Sequence, residues 1–222
     1  MKYLVIGDIH GCYDELMELI EISGISADDH IIALGDIVDR GPDSPKVVEF
    51  FRTASNASAI LGNHERKHIR SHKGITSPAT SQYLARLQFV DNQYIEAIKY
   101  FETLPLYIDL PEATLIHGAL EPGVELSMQD VKVITGNIGG EKYLNKKYSK
   151  PWYELYDGEK PVIAGHINYN GNDTPMIYKD RIFFIDTSCC QGYSLTGIIL
   201  PDFRICSVKS SKCYCTDSMP EV

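Results

Sequence analysis

Apolar runs alternate with helical patterns in the first third of the chain. Three short, mainly apolar segments predict buried strands: residues 2–6, 30–34 and 57–61. Leucine and isoleucine at helical spacing predict a helix over residues 12–23. Ser44, followed by Pro45 at the first helical position, predicts the start of a second helix. The order of these segments predicts a β-α-β-α-β unit.

The rest of the chain becomes mostly β after a helical stretch over residues 64–104. Five later apolar segments predict strands: residues 114–116, 162–164, 182–185, 194–200 and 204–208. Residues 127–130 predict the start of a short helix, and residues 136–150 predict a loop. We therefore expect one α/β domain over residues 1–210, built as a layered sandwich, and a frayed tail over residues 211–222.

Composition excludes several classes of protein. The chain has 222 residues and a formal charge of −9, which argues against non-specific nucleic-acid binding because that binding depends on Lys and Arg. No apolar run approaches the ~18 residues of a membrane span, and the apolar start before Gly7 is too short for a signal peptide. The six unevenly spaced cysteines predict thiols in a reducing compartment. We therefore expect a cytoplasmic protein without a membrane segment.

Polar clusters directly follow each of the first three predicted strands. They are Gly-Asp-Ile-His-Gly (7–11), Gly-Asp-Ile-Val-Asp-Arg-Gly (35–41) and Gly-Asn-His-Glu (62–65). His117 and His166 follow later apolar runs in the same way. Ligands of α/β sheets bind beyond the carboxyl ends of the strands, so these loops are expected to converge. Carboxylate, imidazole and amide ligands suit a divalent metal, and there are enough of them for two ions that share a carboxylate.

These five elements, in this order, resemble the calcineurin-like metallophosphoesterases, in particular their phosphoprotein-phosphatase branch. The resemblance implies a β-sandwich flanked by helices and two divalent metal ions. The implied metal ligands are Asp8, His10, Asp36, Asn63, His117 and His166, with Asp36 shared by both ions. It also implies that His64 is the general acid, that Asp39 orients it, and that Arg40 and Asn63 contact the substrate phosphate.

The implied reaction is hydrolysis of a phosphate ester by direct attack of a hydroxide that bridges the two metals. Two metals lower the pKa of bound water toward neutrality, and a histidine can protonate the leaving oxygen near pH 7. Arg40 offers planar paired donors that fit a phosphate. Mn²⁺ is the expected metal, with Fe, Zn and Ni as alternatives.

Two alternatives belong to other classes of protein. His64-Glu65-x-x-His68 matches the zinc-peptidase signature, with Glu65 as the base. That hypothesis leaves Asp8, His10 and Asp36 without a role. We expect His68 and His72 to be solvent-facing helix residues and not zinc ligands. A catalytically dead phosphoesterase used as a binding module is the second alternative, and the complete set of candidate catalytic residues argues against it.

The substrate has two candidate classes. Asp39 and the short chain favour a protein phosphatase, which is our first choice. Its substrate would be phosphoserine or phosphothreonine, with phosphotyrosine as an alternative. Leu61 and the segment Asp186-Thr187-Ser188-Cys189-Cys190 instead resemble the diadenosine tetraphosphatases, and residues 121–160 contain no arginine. Basic residues 66–73 either steer anions to the site or form a solvated helix face. Tyrosines 143–156 either stack on a base or pack the loop.

Overall fold

Two five-stranded sheets form the centre of the computed structural model, which describes residues 1–215. The first sheet has the strand order β10-β9-β1-β2-β3. Its strands are β1 (Tyr3–Ile6), β2 (His30–Ala33), β3 (Ala57–Ala59), β9 (Ser194–Leu200) and β10 (Arg204–Lys209). The second sheet has the order β4-β5-β6-β8-β7. Its strands are β4 (Tyr107–Asp109), β5 (Thr114–Ile116), β6 (Val162–Ala164), β7 (Met176–Tyr178) and β8 (Ile182–Phe184).

Helices connect the strands and cover the outer face of each sheet. Against the first sheet lie α1 (Tyr13–Ser23), α2 (Ser44–Thr53), α3 (Asn63–His72), α4 (Thr80–Gln88) and α5 (Gln93–Phe101). Beside the second sheet lie α6 (Val131–Ile134), α7 (Ile138–Lys147) and α8 (Trp152–Leu155), preceded by a 3₁₀ turn at Leu126–Met128.

The alternation of side chains along β1 shows how the layers are held together. Leu4 and Ile6 point toward the helices and pack in one apolar cluster with Leu16 of α1. Val5 points the other way and packs in a second cluster with Leu115 and Ile163 of the opposite sheet. Successive side chains of a strand face opposite sides, so a wholly apolar strand is what a sheet covered on both faces requires. The predicted layered sandwich of β-sheets flanked by helices is confirmed.

The strands at the centre of each sheet follow the sequence pattern, whereas two edge strands do not. β5, β6 and β9 have the predicted bounds. β4 and β7 were absent from the sequence-based prediction because each lies at a sheet edge and pairs with one neighbour only. Their side chains are half-buried or exposed, so they lack a continuous apolar run.

The loop predicted over residues 136–150 is wrong, because most of this segment forms α7. Gly139 and Gly140 lower its helix propensity and hide it in the sequence. Gly140 is required by packing: a Cβ there would lie 2.3 Å from the carbonyl oxygen of Lys132, so α6 and α7 approach each other backbone to backbone. The start of α2 also differs by one residue, since Asp43 rather than Ser44 caps it through Lys46 N.

The end of the described chain lies against α1. Glu15 Oε1 accepts hydrogen bonds from Tyr214 Oη at 2.7 Å and from Ser211 N at 3.2 Å. Residues 216–222 of the predicted frayed tail lie outside the described residues. In residues 1–215, no helix is long and apolar enough to cross a membrane.

Glu121 ties α7 to the loop that follows β5. Its Oε1 accepts hydrogen bonds from Lys147 Nζ at 2.5 Å, from Tyr143 Oη at 2.8 Å and from Tyr148 Oη at 3.2 Å. Burial works to raise the pKa of Glu121, but these three donors hold it below its usual value. The carboxylate is therefore stabilised by the fold.

Replacing this carboxylate should destabilise the protein in a pH-dependent way. A group whose pKa is lowered on folding contributes stability above its unfolded pKa of about 4.3, and loses it as the pH falls further. Glu121→Gln should therefore lower Tm by a few degrees at pH 7, and the difference should shrink as the pH falls below about 4. Thermal unfolding followed by circular dichroism measures this. Exposed Glu125→Gln is the control, and a Tm difference that does not change with pH would contradict the assignment.

Candidate active site

The candidate site lies where the carboxyl ends of the parallel strands of both sheets meet. One polar residue follows each of six strands: Asp8 after β1, Asp36 after β2, Asn63 after β3, His117 after β5, His166 after β6 and Asp186 after β8. The two sheets are joined at this edge, since His166 N donates to Asp8 Oδ1 at 2.8 Å and His117 Nδ1 lies 2.7 Å from the carbonyl oxygen of Leu34. Five of these residues, all except Asp186, are metal ligands implied by the sequence, and the sixth implied ligand, His10, lies beside Asp8 and Asp36.

Asp36 is shared by two groups of potential metal ligands. Asp36, His10 and His64 form one group, and Asp36, His117 and His166 form the other; within each group the ligand atoms lie within 4.8 Å of one another. Asp36 Oδ2 is 3.6 Å from His10 Nε2, and Asp36 Oδ1 is 3.4 Å from His117 Nε2. Asp8 Oδ2 lies beside the first group, 3.9 Å from His10 Nε2.

Each of the three candidate histidine ligands has its outer nitrogen occupied. His10 Nδ1 lies 2.9 Å from the carbonyl oxygen of Val38, and His117 Nδ1 lies against Leu34 as described above. His166 Nε2 lies 2.7 Å from Glu141 Oε1. An acceptor on the outer nitrogen places the proton there and leaves the lone pair of the inner nitrogen directed into the site. This is the tautomer that a metal ligand needs.

The buried carboxylates of the site also favour a bound cation. Burial and the neighbouring carboxylate of Asp186 raise the pKa of Asp8 well above its usual value. Burial would raise the pKa of Asp36 too, but the imidazoles of His117 and His64 hold it well below its usual value. Burial works to lower the pKa of His117, yet Asp36 and Asp8 raise it to about 10. Carboxylates this close together and this deeply buried are stabilised by positive charge, which a divalent ion supplies.

The Asn63 side chain lies between the second ligand group and a lysine. One end of its amide is 3.0 Å from His117 Nε2, and the other end is 3.0 Å from Lys67 Nζ. Hydrogen bonding favours the amide oxygen at Lys67 Nζ and the amide nitrogen at His117 Nε2, so an oxygen ligand for the second ion requires the amide to turn over. With that rotation, the donor set of these residues fits two divalent metals.

His64 belongs to a buried chain of polar side chains. His64 Nδ1 lies 2.5 Å from Asp39 Oδ2, and His68 Nε2 lies 2.7 Å from Asp39 Oδ1. His68 Nδ1 in turn lies 3.1 Å from Tyr94 Oη. Burial would raise the pKa of Asp39, but hydrogen bonds from His64 and His68 hold it well below its usual value. Asp39 is therefore an anion that fixes the orientation of His64.

The solvent-facing position predicted for His68 is wrong, whereas the one predicted for His72 is confirmed. His68 is fully buried and His72 is exposed. The sequence pattern failed at His68 because its polar partner, Asp39, lies 29 residues away and was assigned to His64 alone.

The peptidase alternative is not supported by the geometry. Glu65 is fully buried, and its carboxylate accepts from Ile37 N at 2.9 Å, from Asp36 N at 2.9 Å and from Gly62 N at 3.0 Å. It holds the loops after β2 and β3 together. The approach is so close that a Cβ at Gly62 would lie 2.3 Å from Asp36 Oδ1. Glu65 is therefore structural, and His64 and His68 both face Asp39 instead of sharing a zinc ion.

Arg40 lies across the open side of the first ligand group. Its Nη1 is 2.9 Å from His10 Nε2, and its Nη2 is 3.1 Å from His64 Nε2. A guanidinium here is placed to contact an anion that binds next to these histidines.

An aromatic cavity adjoins the second ligand group. It has a volume of about 250 Å³, and its walls include His166, Glu141, Tyr148, Trp152, Tyr153 and Tyr169. The rings of Tyr153 and Tyr169 meet edge to face with their centroids 5.6 Å apart. Of the four tyrosines considered in the sequence, Tyr148 and Tyr153 line this cavity. Tyr143 and Tyr148 donate hydrogen bonds to Glu121. Tyr156 donates to the carbonyl oxygen of Lys160.

Glu141 is the residue of this site that sequence reasoning missed. It lies on α7, in the segment that was predicted as a loop, so its position beside His166 was not visible. Glu65 was considered only as a peptidase base, although a glutamate three residues after a helix start is a recognisable signal for bonds to the residues before the helix.

Comparison with known proteins defines the class. The family model of the calcineurin-like phosphoesterases matches residues 1–181. The chain belongs to this family, and it is a metal-dependent phosphoesterase.

Two relatives from Bacillus are similar over nearly the whole chain. Both are named bis(5'-nucleosyl)-tetraphosphatase PrpE, asymmetrical. The chain is 31% identical to the one from Bacillus velezensis, covering 96% of this chain and 95% of the relative. It is also 31% identical to the one from Bacillus subtilis strain 168, covering 96% of this chain and 97% of the relative.

Two solved structures are also similar to this chain over most of its length. A protein described as a candidate diadenosine tetraphosphatase matches with a TM-score of 0.76 at 26% identity, covering 94% of this chain and 93% of that one. A serine/threonine phosphatase from Saccharomyces cerevisiae matches with a TM-score of 0.60 at 14% identity, covering 95% of this chain and 79% of that one. The second likeness concerns the fold alone.

Removing the Glu141 carboxylate should weaken the second metal selectively. Partners of a metal-bound histidine typically contribute about 10–100-fold in metal affinity. Glu141→Gln should therefore lose one of two bound ions at limiting metal, while Glu154→Gln, an exposed carboxylate on α8, should keep both. Metal per chain is measured by mass spectrometry after equilibrium dialysis. Two ions bound at wild-type affinity in Glu141→Gln would refute this role.

Proposed function

We propose that the protein hydrolyses bis(5'-nucleosyl) tetraphosphates, in a site that two divalent ions complete. The observation that carries this proposal is the aromatic cavity beside His166. Its volume of about 250 Å³ is below the ~300–1,000 Å³ of sites for whole drug-sized ligands, so it fits one end of a larger ligand. Aromatic walls next to a phosphate-binding centre are suited to a nucleobase whose phosphate lies at the metals.

The position of Leu61 also favours a nucleotide over a phosphoprotein. Leu61 is buried, and its N–H donates to the carbonyl oxygen of Pro105 at 2.8 Å. It therefore supplies no phosphate donor where the protein phosphatases carry an arginine. The names of the two Bacillus relatives support the same choice. This reverses the order of preference that the sequence favoured, in which a phosphorylated protein came first.

The proposed roles follow from the contacts. Asp8, His10 and Asp36 would hold one ion, and Asp36, Asn63, His117 and His166 would hold the other. Bound divalent ions supply a nucleophile at neutral pH by lowering the pKa of water, and they polarise phosphoryl oxygens. We propose Mn²⁺ as the working metal because the carboxylate and amide oxygens suit it, with Fe, Zn and Ni as alternatives that the imidazoles also suit.

Two side chains act on the substrate directly in this proposal. Arg40, held over His10 and His64, binds the phosphate that is attacked, together with Asn63. His64 donates a proton from Nε2 to the leaving oxygen, while its Nδ1 is held by Asp39. Because Asp39 also accepts from His68, the ring of His64 is oriented by a chain that ends at Tyr94.

Product analysis tests the substrate. Mn²⁺-loaded protein is offered diadenosine tetraphosphate and a phosphoserine/phosphothreonine peptide in parallel, and the products are separated by ion-exchange chromatography. We expect a higher kcat/KM for the dinucleotide, and near-complete loss with Asp36→Asn, which removes the shared carboxylate. Faster release of phosphate from the peptide would contradict the proposal and favour a protein phosphatase.

The general-acid role is tested by leaving-group dependence. His64→Ala should reduce kcat about 10²–10⁴-fold for an alkyl phosphate, because a poor leaving oxygen needs a proton. The loss should be much smaller for p-nitrophenyl phosphate, whose leaving group is stable as an anion. Metal content, measured on the same samples, separates this role from metal binding. Equal losses on both substrates would exclude His64 as the acid.

A further inference from the structure

A second cleft, rich in basic residues, opens beside the candidate active site. It has a volume of about 380 Å³. Its walls include Arg66, Lys67 and Arg70 of α3, Lys132 of α6, and the polar side chains of Ser77 and Asn137. We call this the basic cleft. It is separate from the aromatic cavity, with which it shares no lining residue, and the two adjoin where Gly136 lines the cavity and Asn137 lines the cleft.

The basic side chains of the cleft form no close ion pairs in the part of the chain that the structure describes. Within residues 1–215, none of these four basic side chains lies within 4.0 Å of an acidic group, although seven other Lys and Arg side chains do. The whole chain carries a formal charge of −9, so acidic groups are not scarce. Burial and the nearby charge of Arg70 lower the pKa of Arg66, although the carboxylate of Asp130 acts in the opposite direction.

The basic cleft begins at the metal ligands and leads away from them. Lys67 Nζ lies 3.0 Å from the amide of Asn63. Asn63 is the first residue of α3, so Lys67 and Arg70 follow it by about 6 and 10 Å along the helix axis. Arg66 and Arg70 are four residues apart and are neighbours on the helix surface. A chain of anionic groups that starts at the metals would meet these cations one after another.

We propose that the basic cleft binds the longer phosphate arm of the substrate, that is, the phosphates beyond the one attacked. This inference rests on the proposed function. The ligand class is a linear polyphosphate, because several separate anionic groups in a row are needed to neutralise three cations on α3 and a fourth on α6. The nucleoside on the attacked phosphate then occupies the aromatic cavity, on the other side of Gly136.

This arrangement defines where the substrate is cut. Water adds its oxygen to the attacked phosphorus, and the bond from that phosphorus to the bridging oxygen breaks. The bridging oxygen leaves with the arm in the basic cleft, as a nucleoside triphosphate, and the aromatic cavity retains a nucleoside monophosphate. The bridging oxygen takes the proton that His64 donates; of the two hydrogens of the water, one returns to His64 and the other is released as a proton. Because the nucleoside of the attacked phosphate occupies the aromatic cavity in this proposal, the arm in the basic cleft carries the other three phosphates and the cut is asymmetrical.

The double variant Arg70→Gln/Lys132→Gln tests the proposal on the substrate. The ratio of kcat/KM for diadenosine tetraphosphate to that for p-nitrophenyl phosphate, which has no phosphate arm, should fall at least tenfold through a higher KM. The matched control, Lys99→Gln/Lys179→Gln, removes two charges elsewhere and should keep the wild-type ratio. Unfolding curves confirm that the variants are folded. An unchanged ratio in the double variant would overturn the proposal.

Inhibition by inorganic tripolyphosphate separates this proposal from the proposed function. With free Mn²⁺ held constant, tripolyphosphate should inhibit p-nitrophenyl phosphate hydrolysis competitively, and the double variant should raise Ki at least tenfold. If wild-type protein fails to cut diadenosine tetraphosphate but shows this difference in Ki, the proposed function is wrong and the polyphosphate cleft stands. If it cuts the dinucleotide and the variant has wild-type Ki and KM, the cleft is overturned and the proposed function stands.

Discussion

The position of the Asp36 carboxylate is the constraint on which the rest of the site depends. It contributes to both groups of candidate metal ligands, so an error in its position would disturb both. The fold holds it from three directions: Glu65 accepts from its N–H, its carbonyl oxygen accepts from His10 N at 2.8 Å, and its Oδ1 accepts from His64 N at 2.9 Å. These bonds join the loops after β1, β2 and β3. The first three strands therefore place one carboxylate, and the second sheet supplies histidines around it.

The second sheet reaches the site through α7 as well as through its strands. Glu121 accepts hydrogen bonds from Tyr143 and Lys147 of α7, and α7 carries Glu141, which fixes His166. Gly140 lets this helix lie directly against α6, from which Lys132 faces the basic cleft. The same short region thus sets the tautomer of a metal ligand and forms the division between the aromatic cavity and the basic cleft. A change in its packing would affect metal binding and substrate choice together.

Sequence reasoning succeeded where local pattern and function coincide. The strands that precede Asp8, Asp36, His117 and His166 are buried on both faces, so their apolar runs and the polar residues after them were both visible. It failed where a residue depends on tertiary contacts. α7 was hidden by its two glycines, His68 by a partner distant in the sequence, and the edge strands β4 and β7 by their mixed exposure. Sequence therefore located the metal ligands but not the surfaces that select the substrate.

Backbone conformation explains why these residue types occupy the site. His10, Asp36, Asp39 and His166 all have positive φ, at 47°, 49°, 76° and 73°. Residues other than glycine are uncommon there, and Asn, Asp and His are the types most often found. Such a conformation costs on the order of 1–3 kcal/mol and persists only where the surrounding structure holds it. Aspartate and histidine are thus suited twice, since they bind metals and tolerate the sharp turns at strand ends. Arg40 has a φ of 67°, and arginine is not among the residue types enriched at positive φ. We attribute this strained backbone to the position of the guanidinium, which lies over His10 and His64.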